Sequence, residues 1–186
     1  MSGIYIHIPF CKQSCHYCNF HFSTSLVHKN ELLSALLKEM EINAGLSSAR
    51  KEVIETVYLG GGTPSLFSAN ECAALIEKAR NIFEIDPLAE ITLEANPDDI
   101  TKEKLKGWKD AGINRLSMGI QSFFDEDLVW MNRAHDAKQA INCMDMAKAE
   151  FENISVDLIY GVPGLTGKKW EQNGHKPIPS LYAYYS

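Results

Sequence analysis

The 186-residue sequence predicts an α/β fold: a parallel sheet of about five to six strands joined by helical crossovers, open or barrel-like. Three observations carry this. Short β-rich runs alternate with runs of helical period. Glycine, proline or Asx turns close most of the β-rich runs. Apolar residues make up 45% and charged residues 23%, as in an ordinary globular protein, and no linker or low-complexity tract divides the chain. The whole of 1–186 is therefore expected to be one domain.

Ile4 to Ile8 reads as the first strand. The run from Met1 to Phe10 has neither a basic start nor a small-residue cleavage site, which argues against a signal peptide. Asn30 to Ala44 then sets Leu32, Leu33, Leu36, Leu37 and Met40 at helical spacing. Val53 to Leu59 is a second strand, stopped by Gly60-Gly61-Gly62, and a helix follows from about Ala69 to Phe83 with Leu75, Ile76, Ala79 and Phe83 on one face. Glu90 to Ala95 alternates polar and apolar and ends at Asn96-Pro97-Asp98. Thr101 opens a short helix that Gly112 closes. Asn114 to Met118 is the fourth strand, Ala137 to Lys148 lies in a helix, and Ile154 to Ile159 is the fifth strand, ended by Gly161-Val162-Pro163-Gly164.

After Trp170 the pattern fails. Gly174, Pro177 and Pro179 interrupt the expected fifth crossover helix, and Ser180 to Ser186 reads as a sixth strand or a frayed end. The expectation is a C-terminally truncated sheet with a diverged tail over 171–186 and an exposed edge at strand five or six. A closed eightfold barrel takes about 250 residues, more than the chain has.

The formal charge of −6 argues against a nucleic-acid backbone binder, and the apolar runs fall short of the roughly 20 residues of a membrane span. Of five cysteines, an odd number, three crowd into Cys11, Cys15 and Cys18. A secreted disulfide framework would spread an even number, so the pattern points to reduced, cytoplasmic thiols gathered for a metal or cluster.

In parallel α/β folds, function collects at the carboxyl ends of the strands. The unusual residues fall there in succession: the cysteine loop after strand one, Gly60-Gly61-Gly62-Thr63-Pro64 after strand two, Glu94 closing strand three, Gly119-Ile120-Gln121-Ser122 after strand four, and Asp157 near the end of strand five. Cys-x3-Cys-x2-Cys supplies three thiolates from one short turn, as an iron–sulfur cluster requires, and would leave one iron of a four-iron cluster open. The alternative is a structural zinc with His7, His16 or His21 as fourth ligand; the paired Cys-x2-Cys knuckles usual for zinc are absent. Cys72 and Cys143 lie in helical runs and read as buried. The glycines allow close backbone approach, for an anion or simply for a tight turn. Glu94 reads as an acceptor for an ammonium or ribose hydroxyl, or as a solvated strand end. Gln121 and Asp157 have the alternative of tying loops, Arg133 that of a surface charge, and His7, His28 and His135 that of packed or surface histidines.

The run Tyr5-Ile6-His7-Ile8-Pro9-Phe10-Cys11-Lys12-Gln13-Ser14-Cys15-His16-Tyr17-Cys18 resembles the cluster loop of the radical S-adenosylmethionine (SAM) family. Its lead-in is similar to the branch holding oxygen-independent coproporphyrinogen III oxidases and HemW-type heme chaperones. Gly60 to Ser65, Leu116 to Phe123 and Asp157 to Gly164 resemble further motifs of that branch, in order, so that the likeness covers about 3–170. The resemblance implies a partial (βα) radical-SAM barrel with a [4Fe–4S] cluster on Cys11, Cys15 and Cys18. It implies SAM at Tyr5, Gly61 and Glu94, and, as in the oxidase, a second SAM at Tyr17, Gly62, Thr63, Gln121, Arg133 and Asp157. An electron passed to the sulfonium then breaks the C5′–S bond and forms a 5′-deoxyadenosyl radical, which in the oxidase starts decarboxylation of a propionate. The oxidase has a further cysteine two residues after the third and a longer N-terminal extension; here Phe20 holds that position and Tyr5 lies near the start. Both departures imply the chaperone-like group, with heme as a further ligand and with an electron donor and a heme-acceptor protein as partners. The coproporphyrinogen dehydrogenase, or a non-catalytic fragment of either, is the alternative.

Overall fold

The computed structural model describes residues 2–46, 52–174 and 182–185. The chain runs β1 (Ser2–Ile8), α1 (Lys29–Leu46), β2 (Ile54–Gly61), α2 (Ala69–Ile82), β3 (Ile85–Ala95), α3 (Lys102–Asp110), β4 (Arg115–Gln121), α4 (Asp125–Trp130), α5 (Ala137–Glu150), β5 (Asn153–Leu158), α6 (Gly167–Gly174) and β6 (Tyr182–Tyr185). The six strands form one sheet in sequence order, and every neighbouring pair is parallel. Parallel neighbours need a crossover of about a dozen residues or more, which the intervening helical segments supply. One-step progression in sequence order is the wall of a barrel, open here because among the described residues no pairing joins β1 to β6.

The strands carry two different faces, set by their period of two. Ile6 and Ile8, Val57 and Leu59, Ile91 and Leu93, Leu116 and Met118, and Val156 and Leu158 are buried on the helix side. There they pack in one core with Leu75 and Ile76 of α2, Leu105 and Trp108 of α3, and Ala140 and Ala147 of α5. The opposite face is polar: Tyr58 on β2, Glu90, Thr92 and Glu94 on β3, Arg115, Ser117 and Gln121 on β4, and Asn153, Ser155 and Asp157 on β5. Parallel strands buried on both sides normally read as continuous apolar runs. Here the inner face lines a lumen. At its amino-terminal end, Arg115 donates from Nη1 to Thr92 Oγ1 (3.1 Å) and from Nη2 to Ser155 Oγ (2.9 Å). Glu90 Oε1 stands 3.7 Å from the guanidinium, and Asn153 Nδ2 donates to Glu90 Oε2 at 3.3 Å. The floor of the lumen is thus a satisfied polar layer rather than an apolar plug.

Local signals account for the helix starts. Ser68 with Glu71 and Asp136 with Gln139 form reciprocal capping boxes ahead of α2 and α5, and the Thr101 side chain accepts from the Lys104 amide ahead of α3. Helix α4 has no such signal, since Phe124 at its N-cap offers no side-chain acceptor, and no helix is expected there from the sequence. Strand β4 runs three residues past the expected Met118, through a register shift that leaves Gln121 at φ 67°.

Of the two readings of the tail, a sixth strand or a frayed end, the structure has the strand: β6 pairs Ser155↔Tyr182 through Leu158↔Tyr185 in parallel with β5. Helix α6 lies in the crossover over Gly167–Gly174. It is anchored by Asn173, which is fully buried, accepts from the Phe123 amide at 2.9 Å and donates to Ser122 Oγ at 3.2 Å. Pro177 and Pro179 lie outside the described residues.

Leu93 on the buried face of β3 is fully enclosed, whereas Leu88 on the same strand is 92% exposed. Leu93→Ala should lower the free energy of unfolding by about 2–5 kcal/mol in urea titration. Leu88→Ala should change it by less than about 0.5 kcal/mol.

Candidate metal centre and adjoining cavity

The stretch from Cys11 to Cys18 has little structure of its own: the backbone bond within it is Cys18 N to Cys15 O, 3.2 Å. Its shape is imposed by neighbours. Gly62 N donates to Ile8 O (2.9 Å) and Thr63 N to Phe10 O (2.6 Å), which fixes the approach to Cys11. Cys11 N donates to Ser23 O and Ser23 N to Pro9 O, closing the loop's far end back on its start. The segment after α4 holds the outer side. His16 N donates to Met131 O (3.1 Å), Gln13 Nε2 to Asn132 O (2.6 Å) and Asn132 Nδ2 to Ser14 O (2.7 Å). His16 Nδ1 lies 2.9 Å from Trp130 O. Lys12 is tied to Asp98 at 2.8 Å and to the buried Asp99, which also accepts from Ser65 Oγ at 2.7 Å.

The glycines matter here for space. A Cβ at Gly62 would stand 2.6 Å from Phe10 O and 3.0 Å from Cys11 Sγ, and one at Gly61 would stand 2.7 Å from the His7 ring. Gly61 also holds φ at 117°, a conformation that side chains disfavour. Only a glycine run lets the end of β2 lie against the cysteine loop.

Glu94 accepts from the Gly61 amide at 2.9 Å and from the Tyr58 hydroxyl at 2.8 Å. Burial raises its pKa above the usual carboxylate value, and the charge of Asp157 raises it further. Burial likewise raises Asp157, opposed by Arg115 and a Ser117 hydrogen bond. Tyr17 is pushed up to about 12, chiefly by burial, so its phenol stays neutral at ordinary pH. Arg133 donates from Nη1 to Tyr17 OH (3.2 Å) and Cys15 Sγ (3.4 Å), and from Nη2 to Asn96 Oδ1 (2.7 Å) and Gly119 O (2.9 Å). Its Nε is buried without an acceptor.

These groups surround one cavity of about 220 Å³, lined by Cys11, Cys15, Cys18, Tyr17, Gly61, Gly62, Thr63, Glu94, Gln121, Arg133 and Asp157. It adjoins the lumen, a cavity of about 1060 Å³, and Tyr17, Cys18, Phe20, Glu94, Gln121 and Asp157 line both. Every site residue expected from the sequence lines the smaller cavity except Tyr5, which lies on β1, more than half exposed. Its ring stacks on Tyr58 at 6.0 Å and its hydroxyl stands 3.1 Å from His7 Nδ1, one residue removed from Glu94. His135 is buried, donates from Nε2 to Ile120 O (3.1 Å), and burial drives its pKa down to about 4, so it is a neutral packing residue.

The donor set fits a cluster. Among the described residues no three His, Cys, Asp or Glu side chains converge as a single-ion site. A four-iron cluster binds each thiolate to a different iron, so three thiols spread over one turn are of the kind it takes. An unpartnered Arg133 Nε in a residue that lines the same cavity as Glu94 and Asp157 fits a ligand that bears both charges. Four participants escape the sequence reading: Tyr58, Asn96, Ser117 and Asn132. The first three could have been found from strand period or strand-end position, since Tyr58 and Ser117 share the inner face with Glu94, and Asn96 follows β3 directly. Asn132, at φ 56°, carries no sequence signal.

The radical SAM superfamily model matches residues 5–173. The heme chaperone HemW of Bacillus subtilis is 40% identical over 189 residues, spanning all of this chain and 49% of its own length. That of Haemophilus influenzae is 38% identical over 169 residues, 88% of this chain and 44% of its own. The chain thus spans less than half the length of these curated relatives. Among solved structures, the coproporphyrinogen III oxidase HemN of Escherichia coli, a radical SAM enzyme, superposes with a TM-score of 0.86 at 29% identity, over 99% of this chain and 43% of its own.

Cys72 and Cys143 are buried and their thiols pushed up to about 12 by burial. Cys11, Cys15 and Cys18 are only partly covered. In the reduced, metal-free protein at pH 8, iodoacetamide should therefore label Cys11, Cys15 and Cys18 and spare Cys72 and Cys143 until the chain is unfolded. Peptide mass spectrometry reads this directly.

Proposed function

The chain belongs to the radical SAM superfamily, and on that premise we propose that it is the core of a HemW-type heme chaperone. In this reading it binds a [4Fe–4S] cluster through Cys11, Cys15 and Cys18, SAM beside it, and heme. The observation that carries the reading is the single small cavity onto which three half-covered thiols, the glycine turn and two carboxyls with raised pKa all face. When bound, the cluster supplies the electron that cleaves the C5′–S bond of SAM.

The residues of the chain bind and orient. Glu94, held by the Gly61 amide and Tyr58 hydroxyl, is aimed at the cationic end of SAM, with Tyr5 stacked behind Tyr58 as its support. Gly62 and Thr63 bring backbone close to Cys11. Asp157, Gln121, Tyr17 and Arg133 line the passage from this cavity to the lumen, where a second polar ligand would lie. Identity of 38–40% to HemW chaperones, and Phe20 in place of a fourth cysteine, support the chaperone reading. The structural likeness to HemN supports the second reading, a coproporphyrinogen dehydrogenase. The five free cysteines support a reducing compartment, the cytoplasm, and no helix among the described residues is long and apolar enough to cross a membrane. Partners in this reading are heme, an electron donor and a heme-accepting protein. Residues 1–186 act as one core domain.

Anaerobic reconstitution should load about four irons and four sulfides per chain. Cys11→Ala, Cys15→Ala or Cys18→Ala should each abolish loading, and Cys72→Ala or Cys143→Ala should leave it intact. The opposite pattern, or stoichiometric zinc, contradicts the reading. With SAM and reductant, stable heme binding without decarboxylation of coproporphyrinogen III is expected; protoporphyrinogen formation would favour the second reading.

A cationic ligand prefers Glu94 and Asp157 ionised. Because both pKa values are raised, SAM affinity should fall as pH is lowered through them and level off above them. Glu94→Gln should weaken SAM about tenfold or more at pH 7.5, since a charge-assisted hydrogen bond contributes roughly 1.5–3 kcal/mol. Calorimetry on the loaded protein tests both; equal affinity at pH 5 and pH 8 would count against the assignment.

A further inference from the structure

Arg133 stands apart from the other cations of the rim. Lys12 is neutralised by Asp98 and Asp99. Among the described residues, Arg133 has no carboxylate partner: its recorded acceptors are a thiol, a phenol, an amide oxygen and a backbone carbonyl. These come from the cysteine loop, the end of β3 and β4, so the guanidinium plane is held from three sides.

The distance to sulfur is set by the backbone. Asn132, the residue before Arg133, both donates to Ser14 O and accepts from Gln13 Nε2, and Met131 O accepts from His16 N. Cys15 thus lies between two residues that are pinned to the two residues preceding Arg133. Nη2 is fixed at the same time by Asn96 Oδ1 and Gly119 O. Neither the donor nor the acceptor can move without breaking the rail.

We propose that Arg133 is a positioning residue that hydrogen-bonds the Cys15 thiolate and raises the reduction potential of the cluster; the proposal rests on the cluster reading above. Hydrogen bonds to ligating sulfur and a fixed nearby cation both favour the reduced, more negative state. This role is separate from any contact of Arg133 with SAM, and it operates before SAM binds.

The test is an EPR-monitored redox titration of the reconstituted protein without SAM, on wild type, Arg133→Lys and Arg133→Gln. Arg133→Gln should retain wild-type iron and sulfide and show at least a tenfold lower ratio of reduced to oxidised cluster at a fixed potential. For one electron that is a midpoint about 59 mV more negative. Arg133→Lys, which keeps charge but loses the fork, should fall between. An unchanged midpoint in loaded Arg133→Gln overturns the proposal. Should Arg133→Gln not load, resonance Raman of Arg133→Lys decides: loss of the N–H···S contact raises the Fe–S(Cys) stretching frequency, and unchanged frequencies overturn it. Failure of wild type to assemble a four-iron cluster would instead sink the cluster reading itself.

Discussion

The arrangement at the rim depends on one constraint: the cysteine loop is shaped by hydrogen bonds from outside itself. Within Cys11 to Cys18 the backbone bonds only from Cys18 N to Cys15 O, while the Gly62 and Thr63 amides hold the entry, Ser23 closes the far end and the Trp130–Arg133 segment holds the outer side. A loop built this way takes its geometry from β2 and α4, and so from the register of the sheet. The small cavity and the thiols facing it follow from that register. So does the requirement for glycine at 61 and 62, where any side chain would collide with His7 or the loop backbone.

A second consequence concerns energy. The outer face of the strands carries the apolar burial that stabilises the sheet, while the inner face places two carboxyls, a guanidinium and several hydroxyls at a lumen. Arg115 with Thr92, Ser155 and Glu90 is satisfied internally, so the floor is stable without a ligand. The upper layer is not: Glu94 and Asp157 are both raised by burial, and Arg133 Nε lacks an acceptor. Incomplete satisfaction at one end only is what a preorganised binding site presents before its ligand arrives.

Much of this was legible in the residues. The five βα steps, the helices from about Ala69 and over Ala137 to Lys148, and the rim position of the cysteines, glycines, Glu94, Gln121 and Asp157 follow from period and strand ends. Arg133 was legible only through family likeness, because a lone arginine beyond a short helix has no local signal. Helix α4 was missed because it is six residues long with an uncapped start. The tail was legible only as a choice between a sixth strand and a frayed end, because β6 is held by backbone pairing along β5 rather than by a local pattern. Tyr58, Ser117 and Asn96 were open to strand period and strand-end position, whereas Asn132 acts through long-range contacts to Gln13 and Ser14 that no single segment encodes.

The central claim is that three thiols on an externally held loop carry a four-iron cluster with one iron open toward the carboxyl-lined cavity. Mössbauer spectroscopy of ⁵⁷Fe-reconstituted protein, recorded before and after adding SAM, tests it most directly. The account predicts four irons in one cluster, with the signal of one of them changing when SAM binds and the other three unchanged. Four irons that do not respond to saturating SAM, or a spectrum without a four-iron cluster, would contradict it.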